Sequence, residues 1–262
     1  MRIVPVIAAK GGVGKTTVTA NLCTTLAEAG HQVLAIDLDP QNALRFHLSA
    51  DLQACESGLA QAISGERAWM KAIQPARSGV LLLPFGAIDD ERQFEIEQYL
   101  ASYPHWLGEL LASFGMPEET LVLIDTPPGP SVYLQQALRV AHFDVVTLLP
   151  DAGSFATLPI IDRMIEKYGP SRGDFLGSGY VVNQVDPGKR LSRDVLDRLR
   201  HDLGSRLLGV VHQDQAVSEA LASALTVRSY APHSQAAQDI SECADRLVER
   251  LAIAEPSRWR PQ

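Results

Sequence analysis

The sequence predicts an α/β protein, in which a mostly parallel, twisted sheet carries helices on both faces. Seven short apolar runs recur along the chain, and they are near-continuous rather than alternating, as strands covered on both faces are. Helical patterns separate these runs, and the repeated order of strand, helix and strand favours a parallel sheet. With 262 residues, 46% of them hydrophobic, the chain can bury a large core.

The individual elements follow from local signals in chain order. Predicted strands occupy residues 3–8, 32–36, 80–83, 121–124, 145–149, 179–182 and 207–211. Predicted helices occupy residues 16–29, 93–114, 131–141, 155–168, 191–203, 216–224 and 236–252. Gly30 ends the first helix, and Pro104 interrupts the second. No repeat or linker divides the sequence, so we predict one domain over residues 1–254 and a loose tail over residues 255–262.

Charge and cysteine content exclude several classes of protein. The formal net charge of −8 and the pI near 5.4 argue against a protein that coats nucleic acid with its whole surface. The three cysteines have no paired spacing, so we expect small buried side chains rather than a disulfide framework or a metal cluster. No apolar run approaches the roughly 18 residues of a membrane span. We therefore expect a cytoplasmic protein.

A glycine-rich loop follows the first predicted strand and opens the first predicted helix. Residues 9–17 read Ala-Lys-Gly-Gly-Val-Gly-Lys-Thr-Thr, with Ala9 where the usual phosphate-loop pattern has glycine. Glycines let backbone N–H groups turn toward phosphate oxygens, and the helix N-terminus adds partial positive charge. Lys15 should lie at the β- and γ-phosphates of ATP, and the Thr16 hydroxyl at Mg²⁺. The predicted nucleotide-binding residues of the loop are Lys10, Gly11, Gly12, Val13, Gly14, Lys15, Thr16 and Thr17.

Carboxylates follow two of the predicted strands. Asp37 and Asp39 come at the end of the second strand, and they point the same way if the strand extends that far. Asp125 follows four apolar residues, which is the Walker B pattern, and it should contact Mg²⁺ directly or through water. The carboxyl ends of parallel strands face the ligand crevice, so these groups should meet the loop. A helix cap or turn beside Pro40 is the alternative interpretation of Asp39, and capping is compatible with the functional role.

The phosphate loop contains a second lysine, Lys10, just inside its start. This feature makes the segment resemble the phosphate loop of one family, the MinD and ParA ATPases. In that family the residue corresponding to Lys10 reaches across a dimer interface to the partner's nucleotide, so the resemblance implies a homodimer that sandwiches two ATP molecules. It further implies that Asp39 holds the attacking water and that Asp37 supports Mg²⁺ indirectly. Lys10, Lys15 and Asp39 are thus the expected catalytic residues, and Thr16, Asp37 and Asp125 the expected metal site.

The resemblance extends to the C-terminal half. Asn183 ends another strand where this family has an asparagine that reads the adenine edge; an asparagine closing a turn before residues 186–188 is an equally good interpretation. Residues 212–216 lie where the family completes its adenine pocket with backbone groups. His212 has no second ligand at a suitable spacing, so a metal site there finds no support.

Two segments narrow the resemblance to one subfamily. Residues 81–86, Leu-Leu-Leu-Pro-Phe-Gly, precede the acidic residues 89–91, and residues 208–214 form a second match. Both are similar to BcsQ, the ATPase encoded with bacterial cellulose synthase. This implies a protein that serves exopolysaccharide secretion at the cytoplasmic face of the inner membrane. Its partners would be the cellulose synthase complex and a small BcsR-like companion protein, with no specific nucleic acid and no direct membrane insertion.

Four alternatives stay open or are excluded by particular residues. A ParA-type partitioning ATPase needs a basic surface, but aspartates interleave with the basic residues of 189–206, with Arg193 and Asp197 spaced for an ion pair. A membrane-binding MinD-like protein needs a basic amphipathic C-terminal helix, and residues 257–260 are too short. A reductase like the nitrogenase iron protein needs interfacial cysteines that this chain lacks. A scaffold that binds ATP without hydrolysing it remains open.

Overall fold

The computed structural model describes residues 1–48, 51–65, 69–169 and 173–252. Its centre is an eight-stranded sheet in the order β3-β4-β2-β5-β1-β6-β7-β8. All neighbouring pairs of this sheet are parallel except β3 with β4 at one edge. The strands are β1 (Arg2–Ile7), β2 (Val33–Asp37), β3 (Gln74–Pro75), β4 (Leu81–Leu83), β5 (Leu121–Asp125), β6 (Asp144–Leu148), β7 (Ser178–Val185) and β8 (Leu207–His212).

Helices cover both faces of this sheet. They are α1 (Lys15–Glu28), α2 (Leu44–His47), α3 (Leu59–Ile63), α4 (Asp90–Ser102), α5 (Trp106–Ser113), α6 (Val132–Val140), α7 (Ala152–Tyr168), α8 (Arg190–Leu203), α9 (Gln215–Ala222), α10 (Val227–Tyr230) and α11 (Gln235–Leu251). One core lies between the sheet and helices α1 and α11. On the other face, α4, α5 and α6 cover one half of the sheet, and α7 and α8 cover the other.

The predicted α/β architecture is confirmed, and all seven predicted strands form. The long helical stretch breaks at Pro104 as predicted, with α4 ending at Ser102 and α5 beginning at Trp106. Gly30 follows α1 with a φ of 99°, the left-handed conformation expected just past a helix end. All three cysteines are buried. Among the described residues, no helix is both long and apolar enough to cross a membrane.

Several elements were not predicted, and each is short. The edge strand β3 has two residues, and α2, α3 and α10 have four or five each. A helix of one turn shows no 3.6-residue repeat of apolar positions, so periodicity does not reveal it. The tail predicted for residues 255–262 lies outside the described residues.

The sheet brings the carboxyl ends of β1, β2 and β5 together at one edge. Strand β1 lies between β5 and β6, and β2 pairs with β5 in a register that sets Asp37 beside Asp125. Because the strands are parallel, the loops that follow them all emerge on the same side. The glycine-rich loop and both acidic segments therefore share one crevice.

One buried carboxyl group, that of Asp144, has no hydrogen-bond partner among the described residues. Asp144 begins β6 and is fully buried, and neither of its side-chain oxygens has a hydrogen-bond partner among the described residues. Burial without compensation raises the pKa of Asp144 well above its usual range. Burial thus favours the neutral form of this side chain in the folded protein, which costs stability at a pH where the unfolded chain would ionise it.

Replacing Asp144 with Asn should stabilise the protein at neutral pH. The unfolded carboxyl ionises near its ordinary pKa, whereas the raised pKa of the folded one delays its ionisation to higher pH, so wild-type stability falls as pH rises from about 4. We expect Asp144→Asn to raise the free energy of unfolding by about 1–3 kcal/mol at pH 7, and the gain to shrink toward pH 4. Urea unfolding across this pH range measures both effects. The exposed Asp245→Asn is the matched control, and a gain independent of pH would contradict the assignment.

Candidate functional site

The glycine-rich loop connects β1 to α1 and leaves the start of the helix open. Gly14 precedes α1 in a left-handed conformation with a φ of 81°, and no side chain caps the first turn. This backbone conformation favours glycine, and a Cβ atom at this position would also crowd the amide nitrogen of Asn183. The uncapped N–H groups and the helix dipole together form an anion-binding site.

The lysine of the loop is buried and paired with the aspartate at the end of β5. The Lys15 ammonium lies 2.9 Å from Asp125 Oδ1, and the Thr16 hydroxyl donates to Asp125 Oδ2 at 2.6 Å. The Thr19 hydroxyl donates to Oδ1 at 3.3 Å. Both charged side chains are nearly inaccessible, with 7% of Lys15 and none of Asp125 exposed. The fold thus brings together Lys15 and Thr16 from the phosphate loop and Asp125 from the Walker B pattern, two motifs that were predicted separately.

Asp37 is the last residue of β2 and is fully buried. Its two carboxylate oxygens accept the backbone N–H groups of Asp39 and Leu44, each at 3.0 Å. Burial, reinforced by the charge of neighbouring Asp125, raises the pKa of Asp37 well above its usual range. Asp37 therefore holds the turn between β2 and α2 in place, close to the expected metal position.

Asp39 lies beyond the strand rather than on it, because β2 ends at Asp37. The expectation that both aspartates point the same way along one strand therefore does not apply. Asp39 instead lines a cleft of about 300 Å³ with the glycine-rich loop and Pro128. Its Oδ1 accepts the N–H of Gln41 at 3.0 Å, and burial raises its pKa. The side chain thus faces the place where the loop would hold a phosphate.

Lys10 makes an ion pair that the sequence did not suggest. Its ammonium lies 2.8 and 3.0 Å from the two carboxylate oxygens of Asp151, the residue that caps the start of α7. Both side chains are more than one-third exposed, so the pair is weak and can exchange. Asp151 follows β6, and the rule that polar residues at strand ends face the crevice would have found it.

Asn42 is a second residue that sequence reasoning missed. Its backbone is left-handed, with a φ of 50°, and its buried amide joins two distant segments. The amide nitrogen donates to the Cys55 carbonyl at 3.0 Å, and the amide oxygen accepts the Phe85 N–H at 3.1 Å. The turn after β2 is therefore attached to the end of β4 and to residues 54–56. An asparagine after an Asp-Pro turn is a local signal, but its distant partners are not.

Asn183, which was predicted to read the adenine edge, lies beside the loop and touches it directly. Its side chain is buried, and its amide nitrogen donates to the Val13 carbonyl at 2.8 Å. The pairing of β7 with β8 shifts register here, and Gln184 has a φ of 57°. The irregular strand end borders a cavity of about 480 Å³ that continues from Gly14 and Thr17. Asn183 thus supports the loop while lining the adjoining cavity.

Helix α8 carries its charges in pairs. Ion pairs join Arg190 to Asp194, Arg198 to Asp202 and Arg200 to Asp197 at 3.5, 2.9 and 3.5 Å. The predicted ion pair between Arg193 and Asp197 does not form, because Asp197 pairs with Arg200. The guanidinium of Arg193 instead donates to the carbonyl of Pro187, since the chain before α8 brings that acceptor within reach.

The fold and the crevice together define a P-loop ATPase of the MinD/ParA type. The chain belongs to the family described as cellulose biosynthesis protein BcsQ, whose family model matches residues 1–248. It is 27% identical over 239 residues to the cellulose biosynthesis protein BcsQ of Escherichia coli, covering 90% of each chain. It is 30% identical over 253 residues to the chromosome-partitioning ATPase Soj of Thermus thermophilus, covering 94% of each chain.

A solved structure supports the same class. The septum site-determining protein MinD of Pyrococcus horikoshii, solved in complex with Mg-ADP, is 25% identical to this chain. It superposes with a TM-score of 0.76 over 94% of this chain and 95% of that one.

Removing the Asn42 side chain should destabilise the protein. Asn42→Ala leaves the buried Phe85 N–H and Cys55 carbonyl without their partner and puts alanine in a left-handed conformation. We expect a loss of about 2–4 kcal/mol in the free energy of unfolding. Urea denaturation measures it, with the exposed neighbour Gln41→Ala as control, expected within about 0.5 kcal/mol of wild type. A loss below about 1 kcal/mol for Asn42→Ala would show that these contacts do not hold the turn.

Proposed function

We propose that this chain is an ATP-dependent dimerising switch that hydrolyses ATP slowly and serves bacterial cellulose synthesis. The observation that carries this proposal is the buried cluster of Lys15, Thr16 and Asp125 beneath an uncapped helix start. A lysine, a hydroxyl and a carboxylate at one point are the groups that a P-loop ATPase needs for ATP and Mg²⁺.

The residues of the loop would bind the nucleotide in separate parts. The backbone N–H groups of residues 10–16 bind the phosphate oxygens, and Lys15 exchanges Asp125 for the β- and γ-phosphates. Thr16 and Asp125 then hold Mg²⁺, with Asp37 as indirect support. The hydroxyl oxygen of Thr16 and the carboxylate oxygens of Asp125 suit this hard cation. The hydrogen bond between the two side chains already holds these oxygens next to each other. Bound Mg²⁺ supplies positive charge that offsets the negative charge of the transferring phosphoryl group.

Hydrolysis would depend on Asp39 and on a second copy of the chain. Asp39 orients a water molecule for attack on the γ-phosphorus, which breaks the bond to the β-phosphate oxygen and yields ADP and inorganic phosphate. Lys10 leaves Asp151 and reaches the nucleotide of the partner subunit, where its charge stabilises the transition state. The exposed, exchangeable ion pair of Lys10 supports this, because a deeply buried pair would resist the exchange.

The cellulose role rests on the BcsQ family membership and its relatives. The proposed partners are the cellulose synthase complex and a small BcsR-like protein, which would bring the dimer to the cytoplasmic face of the inner membrane. A chromosome-partitioning role is the second candidate, because the relative Soj is 30% identical. The aspartates that alternate with the arginines of α8 weigh against it, since they lower the net positive charge that this helix would present to duplex DNA. Salt-dependent, ATP-dependent retention on random duplex DNA would reverse this preference.

Lys10 and Asp39 should have separable roles. Lys10→Ala should bind ATP yet stay monomeric and lose at least about 100-fold in hydrolysis rate. Asp39→Ala should form the ATP-dependent dimer and hydrolyse too slowly to release it. Light scattering and phosphate release measure the two effects. Lys189→Ala, whose side chain is 68% exposed, is the matched control. A Lys10→Ala dimer with ATP would refute the action in trans.

The same variants test the cellulose role in the host cell. A strain that carries only Lys10→Ala or Asp39→Ala should produce as little cellulose as a strain without the gene, while Lys189→Ala should match wild type. Dye binding to the secreted cellulose measures the output. Full output with Asp39→Ala would instead favour a scaffold that needs ATP binding but not turnover. Full output without the gene would remove the cellulose role.

A further inference from the structure

Helix α4 exposes two stacked tyrosines to solvent. Tyr99 and Tyr103 are 40% and 51% exposed, and their ring centroids lie 5.5 Å apart at an interplanar angle of 13°. Residues four positions apart on a helix share one face. Among the described residues, no cation lies over either ring. The pair therefore presents aromatic surface that the fold itself does not use.

An acidic groove lies at the beginning of the same helix. Its volume is about 520 Å³, and the carboxylates of Asp89, Glu91 and Glu95 line it. Residues 89–103 contain five carboxylates and one arginine, so negative charge is concentrated on this short segment. Four residues spaced by four positions connect the groove to the stacked tyrosines, and they define the acidic–aromatic face of α4: Glu91, Glu95, Tyr99 and Tyr103.

The stability of α4 does not require this face. Asp89 caps the helix by accepting the Arg92 N–H at 2.9 Å, and acidic residues in the first turn suit the helix dipole. Glu95 lies beyond the first turn, and its ion pair with Arg92, at 3.3 Å, is exposed and weak. Among the described residues, Glu91 forms no ion pair. The contacts with the hydrophobic core come from other residues of the helix.

The acidic–aromatic face is fixed in place near both ends. The Gln136 amide of α6 donates to the carbonyl of Leu100 at 3.1 Å and to that of Tyr103 at 2.6 Å. Beside the groove, the Gln61 amide donates to the carbonyl of Ala87 at 2.9 Å. A surface that is already ordered loses little conformational entropy when a partner binds.

We propose that the acidic–aromatic face binds an arginine-bearing segment of a partner protein. A guanidinium group forms paired hydrogen bonds with a carboxylate, and its flat face also stacks on aromatic rings. Glu91 and Glu95 offer the carboxylates, and Tyr99 and Tyr103 offer the rings. The same negative charge repels nucleic acids and anionic lipid surfaces. None of these residues lines the nucleotide crevice, so binding at this face does not require ATP.

Fluorescence anisotropy with the full chain and two labelled peptides of equal length tests this binding. One peptide alternates arginine with glycine, and the other has lysine in place of each arginine. Wild type should bind the arginine peptide about threefold more tightly or better, because the planar guanidinium stacks on tyrosine more favourably than an ammonium group does. Equal affinity for the two peptides would contradict recognition of arginine.

Removing the two rings should abolish this preference. Tyr99→Leu combined with Tyr103→Leu keeps apolar side chains on a helix and should weaken binding of the arginine peptide about fivefold or more. Tyr230→Leu is the matched control, since Tyr230 is 41% exposed on α10, and it should leave both affinities unchanged. A tyrosine variant that still prefers the arginine peptide would overturn the role of the rings.

Two pairs of charge variants separate local recognition from attraction to an acidic protein. Glu91→Gln with Glu95→Gln should weaken binding of the arginine peptide about tenfold. Asp194→Asn with Asp197→Asn removes the same charge from α8 and should change the affinity less than about twofold. An equal loss in both variants, or no binding by wild type, would overturn the proposal.

Light scattering tests a second copy of the chain as the occupant of this face. Wild type and the variant that carries Tyr99→Leu and Tyr103→Leu should have the same molar mass, with and without ATP. A smaller assembly for the variant would assign the acidic–aromatic face to self-association instead.

Discussion

The buried ion pair between Lys15 and Asp125 is the interaction on which the crevice depends. Two charges removed from water are costly unless they meet each other and the surrounding donors complete their hydrogen bonds. Thr16 and Thr19 supply those donors, so the start of α1 is attached to the end of β5 at the centre of the sheet. A phosphate group is negatively charged, as the Asp125 carboxylate is, so it can replace Asp125 as the partner of the Lys15 ammonium. The pair is therefore a structural contact that a nucleotide can take over.

Further polar contacts extend outward from this pair. Asp37 holds the turn after β2, and Asn42 attaches that turn to the end of β4. On the other side, Asn183 attaches the loop to β7, and Asp239 of α11 accepts the backbone N–H of His212 at the end of β8. Each contact is a buried or half-buried hydrogen bond that fixes a loop beside the crevice.

Local signals predicted most of the fold and the centre of the site. Apolar runs located the seven main strands, because a strand buried on both faces has a continuous apolar sequence. Pro104 marked a helix end because proline restricts the backbone, and Gly30 marked another because glycine permits a positive φ. Short elements such as α2 and β3 were not predicted, because one helical turn or two strand residues are too few to show a periodic pattern of apolar positions. The expected partner of Arg193 was wrong because spacing along a helix ignores acceptors from the preceding loop.

The sequence by itself determined that this chain forms a parallel α/β sheet with a phosphate loop and carboxylates at the strand ends. These features are local, since each depends on a few neighbouring residues and their backbone preferences. Only the tertiary structure decided that Lys10 rests on Asp151, that Asn42 joins three segments and that Asp239 contacts His212. Those pairs lie between 13 and 141 residues apart along the chain. Their geometry comes from strand order and helix packing, which no short stretch of sequence encodes.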